Sequence, residues 1–120
     1  AVACGGTIGA VGRYLISSYL QTVSENTFPW GTLTANVLGC AILGLLFTVF
    51  ANFWSPTQEI RAFLTVGMMG ALTTFSAFSL EVVVMIERAQ WVLAGSYIIA
   101  SVILCVGAML LSMSGMRALL

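Results

Sequence analysis

Gly67-Met-Met-Gly70-Ala-Leu-Thr73-Thr74-Phe75-Ser76-Ala77-Phe78 lies in the middle of a charge-free apolar run, residues 62–80. The run is long enough to cross most of a bilayer, yet this part of it is poor helix material. Two glycines, three hydroxyl residues within four positions and two phenylalanines three apart crowd the spot where a membrane helix is usually most regular. In lipid every backbone polar group must be satisfied internally, so irregular backbone persists only where protein buries it or a polar cavity meets it. A helix broken at membrane depth is a pointer to a binding site. The competing reading is a continuous helix with a small-residue packing face.

Working outward, 60% of the chain is hydrophobic and 7% charged, with a mean hydropathy of +1.07. Soluble domains are about 25% charged, so this is an integral membrane protein. A span takes roughly 20 apolar residues, which allows about four spans in one membrane domain, residues 1–120. They are placed at about 1–20, 31–53, 59–86 and 91–113, all helical. The turns between them fall at 21–28, with Glu25 and Asn26, at Trp54-Ser55-Pro56-Thr57, and at Glu87-Arg88. Trp30, Trp54 and Trp91 stand at span ends, where interfacial tryptophans belong. The chain starts at Ala1 without Met, so residues upstream are expected. The opening segment contains Arg13 and continues past it, which does not fit a cleavable signal peptide.

Several chemistries are excluded by what is missing. Net charge is zero and there is no histidine. Nucleic acid is therefore not expected as a partner, and the commonest metal ligand and general base are missing. Cys4, Cys40 and Cys105 show no metal-binding spacing and read as small membrane-buried residues. No catalytic constellation is present, so an enzyme is not expected.

The arginines are almost balanced across the membrane. Arg61 and Arg117 fall on one side and Arg88 on the other, which leaves little positive-inside bias. Such a chain can insert both ways up and pair as an antiparallel homodimer.

Candidate site residues come from each span. Gly5, Gly9 and Arg13 share a face of the first; the glycines allow close helix approach, and Arg13 can draw an anion into a vestibule or snorkel to the interface. Thr32 and Asn36 share a face of the second. The Asn36 amide carries two hydrogen-bond donors, suited to a small anion or to a neighbouring helix. Tyr97, Ser101 and Cys105 form one stripe of the fourth at four-residue spacing, offering hydroxyls to a passing ion or to the preceding turn's carbonyls. Glu81, a carboxylate inside the third span, points to a pathway or a partner, with a partly solvated interfacial acid as the plainer reading. Phe75 and Phe78 have electropositive ring edges that can face an anion, or they pack in the core or against lipid.

Taken together, the chain resembles the Fluc family of small bacterial fluoride channels, also called camphor-resistance proteins. Three stretches carry the resemblance, which covers the whole chain. They are Gly5-Gly6-Thr-Ile-Gly9-Ala10-Val-Gly-Arg13-Tyr14, Gly31-Thr32-Leu-Thr-Ala-Asn36-Val-Leu-Gly39 and the opening motif. The resemblance implies passive fluoride export across the inner (plasma) membrane, through two pores in an antiparallel, dual-topology homodimer. It implies a break near residues 70–76, with backbone carbonyls of Gly70 and Thr73 from both subunits holding a structural Na+. It assigns the pore to Phe75, Phe78, Asn36, Thr74, Ser76, Glu81, Thr32, Arg13, Tyr97 and Ser101, with Cys105 where the family more often has a hydroxyl. Ala77 is a second departure: the family usually has Thr or Ser there. The fold and the sodium site are expected to survive it, because carbonyls build that site.

Two other functions compete. A small multidrug-resistance-type proton-coupled cation antiporter also uses four spans and dual topology, but it needs a membrane carboxylate, normally in the first span; here only Glu81 is available. A non-transporting scaffold would leave the Gly–Thr–Phe cluster and Glu81 without a role.

Overall fold

A computed structural model describes residues 1–23 and 28–119. Glu25 and Asn26, read above as part of the first turn, lie outside the described residues. The chain is an all-α, multi-span membrane bundle: α1 (Val2–Val23), α2 (Trp30–Asn52), α3 (Gln58–Arg61), a π-helical segment (Ala62–Met69), α4 (Gly70–Leu72), α5 (Ser76–Glu87) and α6 (Trp91–Leu119). Among the described residues, three helical stretches are long and apolar enough to cross a membrane: Trp30–Asn52, Gln58–Glu87 and Trp91–Leu119. At about 1.5 Å per residue each exceeds the roughly 30 Å hydrocarbon core. The 22-residue α1 has the length for a span. It is not among the three, because Arg13 and its run of Ser, Thr, Tyr and Gly dilute its apolar character.

Composition explains the helices, and their ends have local causes. Thr57 sits in extended conformation before α3, and its hydroxyl accepts from the Ile60 amide at 3.4 Å, the usual N-cap arrangement. At the other end of this span, the Gln90 amide reaches back to the Met85 carbonyl at 2.8 Å and the Ala89 amide to Ile86 at 3.0 Å. This is a Schellman ending. It needs a left-handed residue, and Ala89 supplies it at φ 58° despite the steric cost of a Cβ there, about 1 kcal/mol. The tight turn delivers the chain directly into α6.

The stretch between those ends is irregular over more than a third of its length. The π segment donates from Gly70 N to Thr65 O as well as to Gly67 O, the wide i→i+5 turn that tends to mark functional positions. α1 lies against it with backbone-to-backbone contact. A Cβ at Gly9 would collide with the Met68 carbonyl and stand 3.0 Å from Leu72 N. One at Gly67 would stand 2.7 Å from Val2 O. The Gly5/Gly9 face read from the sequence therefore packs on the π segment.

α2 and α6 form the other extensive contact. Their core holds Leu33, Ala94 and Tyr97 together with Met85 of α5, and Phe28, Val37, Phe78 and Val82 pack around it. Phe78 connects this core to the break, with its ring centroid 5.0 Å from Tyr97 and 5.4 Å from Phe75.

Candidate functional site: a cavity beside the broken helix

Between α4 and α5, residues 73–75 leave the helix. Thr73 has φ −87° and ψ 154°, an extended conformation. A helical turn here would send the Thr74 amide to the Gly70 carbonyl and the Ala77 amide to the Thr73 carbonyl. Both amides go elsewhere. Thr74 N donates to Asn36 Oδ1 at 2.7 Å. Ala77 N donates to Thr74 Oγ1 at 3.2 Å, so Thr74 acts as the side-chain cap of α5. The carbonyls of Gly70 and Thr73 lose the amides that would have closed their turns.

Other carbonyls of the break are claimed by distant side chains. Asn36 Nδ2 donates to Thr74 O at 3.1 Å, so the Asn36 amide pairs with both polar groups of one residue, as a neighbouring strand would. Arg13 Nε donates to Ala71 O at 3.2 Å. Thr73 Oγ1 bonds back to Met69 O at 3.0 Å. α1 and α2 thus satisfy part of what the helix gave up, as irregular backbone in an apolar medium requires.

A cavity of about 420 Å³ opens on this break. Asn36, Gly70, Thr73, Thr74, Phe75, Phe78 and Ser101 line it, with Cys40, Cys105 and Val102. Phe75 is 78% exposed and Phe78 half-buried. The second Asn36 Nδ2 hydrogen remains after Thr74 O is served, since a primary amide carries two. Ser76 is exposed, with its hydroxyl 3.3 Å from Thr74 Oγ1.

Glu81 stands one helical turn beyond Phe78 and lines a separate cavity of about 250 Å³, with Gln21, Pro29, Met85, Arg88 and Gln90 among its walls. Thr32 and Tyr97 lie within interaction range of the carboxylate. Even so, Glu81 Oε1, Tyr97 Oη and Ser101 Oγ are buried without a hydrogen-bond partner of good geometry. Hydroxyls elsewhere behave differently. Thr7, Thr48, Thr65 and Thr73 each bond the carbonyl one turn back. Buried polar groups are overwhelmingly paired, so these three stand out: the Tyr97 and Ser101 hydroxyls are free to donate, and the Glu81 oxygen is free to accept.

The structure therefore gathers Asn36, Thr74, Phe75, Phe78 and Ser101 around one cavity, with the Gly70 and Thr73 backbones. Thr32, Tyr97 and Glu81 form a second group, with Glu81 on the wall of the smaller cavity. Arg13 lies outside the cavity lining, on the Ala71 carbonyl. Sequence reasoning treated Asn36 only as an ion or helix ligand and missed its backbone pairing with Thr74. It also left Cys40 out of the site; the signal was available, since Cys40 lies one turn after Asn36.

A multi-span helical protein with a donor-lined cavity at a helix break is the architecture of a membrane transport protein. A profile of the CrcB-like protein, Camphor Resistance (CrcB) family matches residues 1–113. Fluoride-specific ion channel FluC 1 of Nitrobacter hamburgensis is 44% identical over 119 residues, 99% of this chain and 94% of that protein. The channel FluC of Rhodospirillum centenum is 43% identical over 117 residues, covering 98% and 93%. That of Magnetococcus marinus is 44% identical over 105 residues, covering 88% and 85%. The chain belongs to the CrcB family. It is a multi-pass protein of the inner (plasma) membrane and of an ion-channel family, not an enzyme.

Proposed function

We propose that the chain is a fluoride-selective channel that lets the anion leave the cytoplasm passively, down its electrical gradient. The observation that carries this reading is the diversion of two helix amides at the break beside a cavity lined by an amide, hydroxyls and phenylalanine rings. Fluoride is small and strongly hydrated, so a dehydrating pore must replace water with donors. The spare Asn36 amide hydrogen, the unpaired Ser101 and Tyr97 hydroxyls and the Phe75 and Phe78 ring edges are of that kind. Selectivity then follows from pore width and lining. The relatives' description as fluoride-specific channels supports the choice of anion.

In this reading the working unit is an antiparallel homodimer with two pores. In that unit the second copy would cover Phe75, which is exposed beside the cavity in one chain. Glu81, Thr32, Arg13 and Ser76 complete the pathway and its approaches. Na+ would be the structural cofactor, and the Gly70 and Thr73 carbonyls of both copies would hold it. The donor set fits: these are hard, uncharged oxygens released from helix bonding, and two-fold symmetry doubles them. When bound, the ion would supply a fixed positive charge between the two breaks. Membership of the CrcB family leaves the multidrug-antiporter reading with Glu81 alone in its favour.

The test is fluoride efflux from liposomes holding the purified chain, with chloride as control. Fast electrogenic fluoride efflux with little chloride flux is expected. Dimeric protein that passes no fluoride would overturn the reading. Exchange of protons for organic cations, abolished by Glu81→Gln, would install the antiporter instead.

A further inference from the structure

The Cys40 and Cys105 thiols stand on the wall of the cavity described above, where the proposed function gives them no ligand role, and geometry makes them a pair. α2 and α6 run parallel in a fixed register. Leu33 packs with Ala94 and Tyr97 at one level. Further along, a Cβ at Gly44 would collide with Ser112 Oγ and stand 2.9 Å from Met109 O. The residue offset between the helices grows by about one turn from the first level to the second, and Cys40 and Cys105 fall between the two levels, each one turn before Gly44 and Met109. The backbone contact at Gly44 is among the closest between the two helices, so the side chains one turn away are held face to face. Both cysteines are free thiols, half-buried, on the wall of the same 420 Å³ cavity.

The geometry points to a two-thiol site for a soft, linear-coordinating d10 cation of the Hg(II), Ag(I) or Cu(I) type on the wall of the cavity. Soft thiolate ligands select such ions over the hard cations that carbonyls hold. Two ligands suffice for linear coordination, so the lack of a cluster of three or more His, Cys, Asp or Glu among the described residues does not count against it. Binding releases protons, because the ligands are thiolates: two thiols and one Hg(II) give one S–Hg–S bridge and two protons. The apolar wall makes the free aqueous ion a poor guest, so the neutral chloride complex HgCl2 is the natural carrier; on exchange it leaves two chlorides and two protons. The bridge would occupy the cavity beside Asn36 and Ser101. The site's existence does not depend on which ion the cavity conducts.

The test uses the full chain as purified, with Cys4→Ser to remove the exposed third thiol. HgCl2 is added, bound mercury is counted by intact-mass measurement, and free thiols are titrated. One mercury per chain with both thiols consumed is expected. Excess glutathione should strip it at least ~100-fold more slowly than from the same chain carrying Cys40→Ser or Cys105→Ser, the advantage of two tethered ligands. Cys40→Ala and Cys105→Ala should repeat the serine results, which separates ligand loss from misfolding. Two mercuries per chain, equal stripping rates, or a mercury bridging two chains would each overturn the site. None of these readouts uses fluoride flux, so failure here and failure of the channel reading are distinct.

Discussion

The stretch Gln58–Glu87 and α6 are both apolar and nearly the same length, 30 and 29 residues, yet one is broken and the other is not. α6 keeps its helix from Trp91 to Leu119 although it contains Gly95, Gly107 and Gly115 and several serines. Gly95, Gly107 and Gly115 have open space around them. Glycine content alone therefore does not break a membrane helix. The third stretch differs because other helices offer partners for its backbone. Asn36 comes from α2, Arg13 comes from α1, and Thr74 supplies the cap itself. Breaking helix bonds without substitutes would cost several kcal/mol per group in lipid. Here the Thr74 and Ala77 amides each have a named acceptor.

If that account is right, removing the substitutes should damage the broken stretch in proportion to what each one satisfies. Asn36→Leu takes away two bonds and leaves a Thr74 amide and carbonyl unpaired in an apolar setting. The cost expected is about 3 kcal/mol, with fluoride efflux from liposomes falling at least ~100-fold. Arg13→Ala removes one charged donor from Ala71 O, for which about 2 kcal/mol is expected. It should lower the thermal midpoint in detergent, and Arg13→Lys should recover only part, because a lysine lacks the guanidinium's fixed geometry. Thr74→Val keeps shape but loses the α5 cap, at about 1 kcal/mol; Thr74→Ser should restore it in the same melting assay. If Thr74→Val proves neutral, the cap does not hold the break.

Two smaller changes sharpen the contrast from the regular side. Ala89→Gly relieves the left-handed strain at the turn before α6 and should raise the midpoint by an amount equivalent to about 0.5–1 kcal/mol. A fall would mean that Ala89 packs against something the Schellman ending does not explain. Val106→Leu, on an exposed face of α6, should change stability by no more than about 0.5 kcal/mol and leave fluoride efflux unchanged. A marked loss of flux there would show that α6 is not the passive, regular partner described.

Much of the architecture was legible in the residues. Apolar content required a membrane bundle, because no soluble core of this size uses so much apolar sequence. The Gly–Thr–Ser–Phe cluster flagged residues 67–78 because those residue types weaken a helix and offer local hydrogen bonds. The small-residue face Gly5/Gly9 foretold a close helix contact, since without a Cβ two backbones can touch. The family resemblance assigned Asn36, Phe75, Phe78 and Ser101 to one pathway, and all four line one cavity.

Only the tertiary structure decided how the break is satisfied and where its helpers point. Asn36 and Thr74 are 38 positions apart, and Arg13 and Ala71 are 58, so no local pattern links them. The sequence allowed Arg13 to face a vestibule or the interface; packing of α1 on the π segment turned it to a carbonyl. It allowed Ser101 to bond its own helix as four threonines elsewhere do, and the α2–α6 contact left it unpaired instead. Cys40 and Cys105 became neighbours through the register of two parallel helices, set by one glycine contact. Periodicity fixes which residues share a face, but rotation about the helix axis is free until a second helix packs against it.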